Sequence, residues 1–212
     1  EEALIEFAKV AKAFYPRTKA VVTADITITK PWTPIVSFGE YEFDGGNCTI
    51  SGLNAPLFAS TAANIHDLTL TDVNYTVTDL NRSGAIACEL YGDIDNCSVS
   101  GTININNTTF APASPTGKYD DICHAGLVGY ASGSSVTNCT NNINITIASL
   151  CSADKEIQAT VGGVVGCVTN GCSFDYNVNN GNLEYVGTTH SQTIYISGIV
   201  GRHSDASNVG GV

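Results

Sequence analysis

Glycoside hydrolysis needs two carboxylates about 5 to 10 Å apart. The acids available are Asp72, Asp79, Asp93, Asp95, Asp120, Asp121, Asp154, Asp175 and Glu184. Asp93 and Asp95 flank Ile94, so on a strand they point the same way. The others fall mostly in stretches that read as turns and insertions. Four histidines are present, His66, His124, His190 and His203. His124 has acids close in sequence, Asp120 and Asp121, and we expect it in a solvated turn. No Ser/His/Asp order and no phosphate-cradling glycine loop stands out, and Arg82 and Arg202 read as isolated. A catalytic site needs convergent groups, and the expectation is that there is none.

Eight cysteines are present without a CxxC pair, so zinc-binding cysteine spacing is absent and no metal or cofactor is expected. Two readings remain, a disulfide set in an oxidising compartment and buried thiols packed as small hydrophobes. Cys123 and Cys151 flank inserted segments at what read as neighbouring loop bases, so a Cys123–Cys151 disulfide is expected. Aromatic residues in insertions can stack on sugar rings or anchor protein contacts. Phe110 and Tyr119 lie in the stretch from Asn106 to Cys123, and Tyr185 lies in the stretch from Leu183 to Ser191. These three are the candidate ligand-binding residues, because loops on a rigid scaffold carry recognition. A further insertion runs from Leu150 to Thr160.

The elements that hold these groups are mostly strands. Only residues 1–15 have helical periodicity, with Leu4, Phe7, Ala8, Ala11 and Phe14 on one face and Pro16 at the end. This helix is expected to cap the open end of a sheet stack. Beyond it the apolar period is two, and Asp44-Gly45-Gly46-Asn47 marks a tight turn.

A repeat then decides the fold. Gly84-Ala-Ile-Ala87, Gly126-Leu-Val-Gly129, Gly163-Val-Val-Gly166 and Gly198-Ile-Val-Gly201 start 42, 37 and 35 residues apart. Pro56-Leu57-Phe58-Ala59 is a degenerate first copy. A second half recurs as Ile65-His-Asp-Leu68, Ile94-Asp-Asn-Cys97 and Val136-Thr-Asn-Cys139, and drifts to Gly171-Cys172-Ser173-Phe174 in the fourth copy. Such periods signal a solenoid. A propeller would need about four strands per repeat, and these repeats show two firm ones. Stacking places Cys97 on Cys139 inside the core and Asn96 on Asn138, with Asp67 before them, in a turn ladder. The acids are not expected to share a column, because Ser135 and Thr137 follow Asp93 and Asp95.

The fold expected is a right-handed single-stranded parallel β-helix with a short N-terminal capping helix. Residues 1–55 form the cap and lead-in strands, and residues 56–212 form one continuous run of repeats. Gly-Leu-Val-Gly followed by Val-Thr-Asn-Cys resembles the GLUG repeat of bacterial surface proteins. The lead-in, from Thr23-Ala-Asp-Ile26 through Trp32-Thr-Pro-Ile35 to Phe43-Asp-Gly-Gly-Asn-Cys-Thr-Ile-Ser-Gly-Leu53, is similar to the one found before such repeats. The resemblance implies a pectin-lyase-like shape and secretion, often by Bacteroides-type bacteria. It implies an adhesin-like setting, or a place beside IgA-protease-type metallopeptidases, and no activity for the repeat itself.

The net charge of −11 disfavours nucleic acid and anionic membranes, and no apolar run is long enough to span a bilayer. The absence of Met suggests a segment of a longer precursor whose signal peptide has been removed, with more repeats expected to follow. The function expected is an extracellular, non-catalytic binding module for a glycan or a host or matrix protein. A carbohydrate-active β-helix enzyme or its targeting part, and a passive spacer, are the alternatives.

Overall fold

The computed structural model describes residues 1–11, 18–37, 39–78, 80–107, 122–150, 159–187 and 194–203. Within them the chain winds as a parallel β-helix. Every strand pair is parallel, and the strands fall into four sheets. The chain visits the sheets in a fixed order on each coil. The first sheet carries six strands: Lys19–Val21, Glu42–Asp44, Asn64–His66, Ile94–Asp95, Ser135–Thr137 and Ser173–Asp175. The second is built on Ile26–Thr27, Thr49–Ser51, Thr69–Val77, Ser98–Asn106, Thr140–Ser149 and Val178–Asn179, with Leu183–Tyr185 alongside. The third is shorter: Arg82–Ser83, Ile122–Ala125, Ala159–Gly162 and Ile194–Ser197. The fourth holds Ile35–Ser37, Phe58–Thr61, Ala87–Leu90, Val128–Ser132, Val165–Thr169 and Val200–His203.

Period-two sequence becomes columns because successive coils stack in register. On the first sheet Phe43, Ile65, Ile94, Val136 and Phe174 lie one above another, all essentially without solvent exposure. On the second, Tyr75, Ile103 and Ile145 form one column and Val77, Ile105 and Ile147 the next. Each buried side chain of this size contributes about 1.5–3 kcal/mol. No coil could gain that alone, since its apolar face is covered only by its neighbours.

The turn after the first sheet is the ladder expected. Asn47, Asp67, Asn96 and Asn138 all have positive φ, between 50° and 54°. Asn and Asp tolerate this region better than other side chains. The ladder is held by carboxylates rather than amides alone. Asn96 Nδ2 donates to Asp67 Oδ1 at 2.5 Å, and Asn138 Nδ2 donates to Asp95 Oδ1 at 2.8 Å. In the last coil Asp175 pairs with Thr137, which puts Tyr176 in the turn column at φ 58°. Tyr176 and Val178 are exposed while Cys172 and Phe174 are buried, so the four do not share one face as their spacing suggests.

The repeat phrase is the corner between the third and fourth sheets, and its register differs from the sequence alignment in one copy. Ala87 pairs with Val128, so Gly126-Leu-Val-Gly129 lies on Ala85-Ile-Ala-Cys88, not on Gly84-Ala-Ile-Ala87. Pro56-Leu-Phe-Ala59 falls where expected, because Phe58 pairs with Ala87. Leu57, Ile86, Leu127 and Val164 sit at the apex and are fully buried, so the corner points into the core. Gly126 and Gly163 do not have positive φ. They are glycine because the space beside them is filled by Asn141 and Asn179.

The helix is shorter than its periodicity suggests, spanning Glu2–Val10. It covers the first coils through Leu4, which is buried, and through Phe7, whose ring lies 6.3 Å from Tyr41 and 5.7 Å from Phe43. Glu1 ties it down by accepting from the Thr29 and Lys30 backbone N–H groups at 3.0 and 2.9 Å. This is the capping role expected of it.

Candidate ligand-binding site

Every long insertion leaves the solenoid at one corner, between the second and third sheets. The chain passes from Val77 to Arg82, from Asn106 to Ile122, from Ser149 to Ala159 and from Tyr185 to Ile194 there. Phe110, Tyr119 and Cys151 lie outside the described residues. Tyr185 corrects an expectation: it is a strand residue, not a loop residue. It stacks in register on the inward-facing Ile147 and packs against the core. Its period-two relation to Leu183 was the available signal.

The roots of two loops are pinned by His124. This residue is fully buried, not in a solvated turn. Its strand neighbour Val161 belongs to the core column, so His124 points inward. Asn107 Nδ2 donates to His124 Nε2 at 3.2 Å and to the Leu80 carbonyl at 2.6 Å. Nε2 therefore accepts, and Nδ1–H donates to Ser83 Oγ at 2.8 Å. Burial pushes the imidazole pKa down to about 3, so the ring is neutral. Ser, His and Asn here have the composition of a nucleophilic triad but the opposite proton direction. The imidazole gives its proton to the serine, whereas activation needs it to take one. The cluster is a fastener joining Leu80 and Asn107, which begin or end loops, to the third sheet.

Just past these roots, side chains on the outward faces of the third and fourth sheets meet across the corner between them. Arg82 is the third-sheet member of a cluster there. Nη1 donates to Glu89 Oε1 at 2.6 Å, and the guanidinium stacks on the Tyr130 ring, 3.9 Å from its centroid. Tyr91 meets Tyr130 edge-on with centroids 6.4 Å apart, and its hydroxyl donates to Glu89 Oε2 at 3.2 Å. Arg82 is therefore not isolated. Tyr91 is 44% exposed and forms the open lip of this cluster. Glu89 and its neighbours hold its phenol above the ordinary pKa, burial being the largest cause.

At the same corner Cys123 is bonded to Cys167, so the Cys123–Cys151 expectation is overturned. Cys123 follows the loop on the third sheet of one coil, and Cys167 lies on the fourth sheet of the next. Their outward side chains meet because the corner is re-entrant, a geometry invisible in sequence spacing. Thr160 and Thr169 complete the corner: Cys167 Sγ lies 3.5 Å from Thr160 Oγ1, and the Tyr130 and Thr169 hydroxyls are 2.8 Å apart. Cys97 and Cys139 are stacked free thiols as expected, and Cys48, Cys88 and Cys172 are also free. Burial and the nearby Glu89 charge push the Cys88 thiol up to about 12.

The outer face of the first sheet carries the acids. Acids recur within one column here, but no two of them stack on each other in neighbouring coils, as Ser135 and Thr137 led us to expect. Asp44, His66, Asp95, Thr137 and Asp175 form one column. Glu42, Asn64, Ser135 and Ser173 belong to the parallel one, with Asp93 hydrogen-bonded to its neighbours in it. The upper acids are occupied by the next coil, as Ser135 and Thr137 suggest. The Ser135 N–H donates to Asp93 at 2.8 Å, and Thr137 Oγ1 donates to Asp95 at 2.6 Å. At the lower end Lys19 Nζ bridges Glu42 at 2.8 Å and Asp44 at 2.9 Å. These contacts, Glu42 first, raise the ammonium pKa to about 12. They and His66 hold Glu42 below the usual carboxylate range. Burial pulls the His66 pKa down, but its bonds to Asp67 and Glu42 outweigh this and leave it raised.

Residues 79–104 and 123–146 match the GLUG motif. Each match starts at or just before the third sheet, crosses the fourth and first sheets, and ends on the second, so one motif is most of one coil. The chain thus carries two GLUG motifs on a parallel β-helix. No curated protein matches it in sequence. In structure it is similar to a candidate immunoglobulin A1 protease from Bacteroides ovatus, with a TM-score of 0.54 at 17% identity. The likeness covers 98% of this chain and 79% of that one, and at this identity it concerns the fold alone.

Proposed function

We propose that this chain is a non-catalytic binding module of a secreted bacterial protein displayed at the cell surface, with a glycan or a host or matrix protein as ligand. The observation that carries the reading is the Arg82–Glu89–Tyr91–Tyr130 cluster, with Tyr91 half-open to solvent. A half-open tyrosine next to a fixed guanidinium and carboxylate offers a stacking surface and hydrogen bonds in both senses. The stacked coils on either side hold it in place, and Arg82 stands where the chain reaches the third sheet from the second. The GLUG motifs and the fold shared with a Bacteroides protein support a surface setting. The acidic face and the net charge disfavour nucleic acid, and no described helix is long and apolar enough to cross a membrane.

The acid columns of the first sheet favour a second reading, a carbohydrate-active enzyme or its targeting part. One experiment separates them. The chain is applied to immobilised plant and host polysaccharides and matrix proteins, and the supernatant is assayed for released sugars. Saturable binding without products, weakened about tenfold or more by Tyr91→Ala, supports the module. Released sugars would establish the enzyme reading, and absence of both would leave a passive spacer.

A further inference from the structure

The lower end of the first sheet holds a group of side chains that the binding reading does not use. Glu42 and Asp44 alternate on one strand and face outward, and His66 stacks directly on Asp44 in the next coil. One ligand atom from each lies within 4.8 Å of the other two.

The imidazole is flanked by oxygen on both sides. Nδ1 lies 2.8 Å from Asp67 Oδ2 and 3.8 Å from Asp44 Oδ1, and Nε2 lies 2.8 Å from Glu42 Oε1. A neutral ring has one N–H, so it donates to only one of these two carboxylates and turns a lone pair to the other. Asp67 is the more firmly placed partner, because Asn96 Nδ2 holds its other oxygen at 2.5 Å. With the Nδ1 proton donated to Asp67, the Nε2 lone pair faces Glu42. This is the arrangement in which a carboxylate orients a metal-binding histidine.

A cation already sits between the two carboxylates. Lys19 Nζ touches Glu42 Oε1 and Asp44 Oδ2, while Asp44 Oδ1 accepts from the Gly46 N–H at 2.7 Å. The lysine side chain is 46% exposed, so solvent reaches it where it bridges the two carboxylates.

We propose that Glu42, Asp44 and His66 form a binding site for a zinc-class divalent metal ion, oriented by Asp67 and guarded by Lys19. One imidazole and two carboxylates leave at least one open position of a four-coordinate ion for water. An imidazole ligand selects zinc-class ions over calcium or magnesium, which take oxygen ligands. The site lies on the first sheet, away from the Arg82 cluster on the third and fourth, so it stands or falls independently of the binding reading.

The test is titration of the chain with Co²⁺, which reports coordination by its visible absorption, and competition of that signal with Zn²⁺. The result expected is saturation at one ion per chain and displacement by Zn²⁺. His66→Ala and Glu42→Gln should abolish the signal or weaken binding at least about tenfold. Asp67→Asn, which matches the residue type of the turn column, should weaken it about 10- to 100-fold. Lys19→Ala removes the competing ammonium and should tighten it. Circular dichroism confirms that each variant is folded. Absence of saturable absorption, or binding unchanged in His66→Ala, would overturn the proposal. So would a thiolate charge-transfer band lost in Cys48→Ser, which would place the ion on a cysteine.

Discussion

Asn141 fills the space that a side chain at Gly126 would need. A Cβ at Gly126 would stand 2.2 Å from Asn141 Oδ1 and 2.5 Å from the Gly163 carbonyl. Asn141 cannot easily move aside. Its Oδ1 accepts from the Ile143 N–H at 3.0 Å in a buried bond, and its Nδ2 donates to the part-buried Asn179 Oδ1 at 2.7 Å. The preceding coil solves the same space differently, with Ala85 at the glycine position and Val99 at the asparagine position. Gly126→Ala is therefore expected to destabilise the chain by about 1–3 kcal/mol. Combining it with Asn141→Val should recover part of the loss, the Gly163 carbonyl contact remaining. Urea unfolding of the two single variants and the double variant measures this. Strict additivity would show that the two residues do not share the space.

His124 makes stability depend on pH in a definite direction. Its folded pKa, about 3, is below the unfolded value near 6.5. Between these values the unfolded chain binds the extra proton, so this contribution is intact above about pH 6.5 and is lost as pH falls towards 3. The slope expected from this one group is about 1.4 kcal/mol per pH unit. Replacing His124 by Gln should flatten that part of the profile. Thermal melts of both forms between neutral and acid pH are the measurement, and parallel profiles would contradict the burial of a neutral ring.

Much of the fold is legible because its columns repeat residue types. Cys97 on Cys139, and Ile103 and Ile105 on Ile145 and Ile147, could be aligned by eye, and the structure keeps that register. The αL turn was legible for Asp67, Asn96 and Asn138, whose side chains suit it. It was not legible for Tyr176, whose type does not. The phrase at Gly84 misleads by one residue because Cys88 stands where later copies have their second glycine. The Arg82 cluster and the Cys123–Cys167 bond were not legible, since both depend on a corner that turns inward. The Glu42–Asp44–His66 group was hidden for another reason. Two of its members lie in a lead-in coil without a repeat phrase, and only the pairing of Asp44 with His66 brings them together.

The Cys123–Cys167 bond closes a loop of 44 residues that includes one full coil and the insertion around 151–158. Such a loop is worth about 2–4 kcal/mol through the entropy of the unfolded chain. Non-reducing peptide mapping should find this pair linked, with Cys97 and Cys139 free. Cys123→Ala with Cys167→Ala should lower the unfolding free energy by about that amount and leave the chain folded. A map linking Cys123 to Cys151 would restore the pairing suggested by sequence.

Tyr176 is the one position where the turn column pays for a side chain it does not favour. It is 80% exposed, at φ 58°, in a column otherwise held by Asn and Asp. The left-handed region costs most L-residues about 1–2 kcal/mol and costs Asn less. An exposed ring offers little burial to offset that. Tyr176→Asn is therefore expected to stabilise the chain by about 0.5–1 kcal/mol, with a further gain if the new amide reaches the ladder at Asn138 or Asp175. Urea denaturation of the single variant decides it, with Tyr176→Ala as the comparison that removes the ring without supplying the amide. If Asn is no more stable than Ala, backbone preference in this column contributes nothing measurable, and the run of Asn and Asp must be explained by side-chain hydrogen bonds alone.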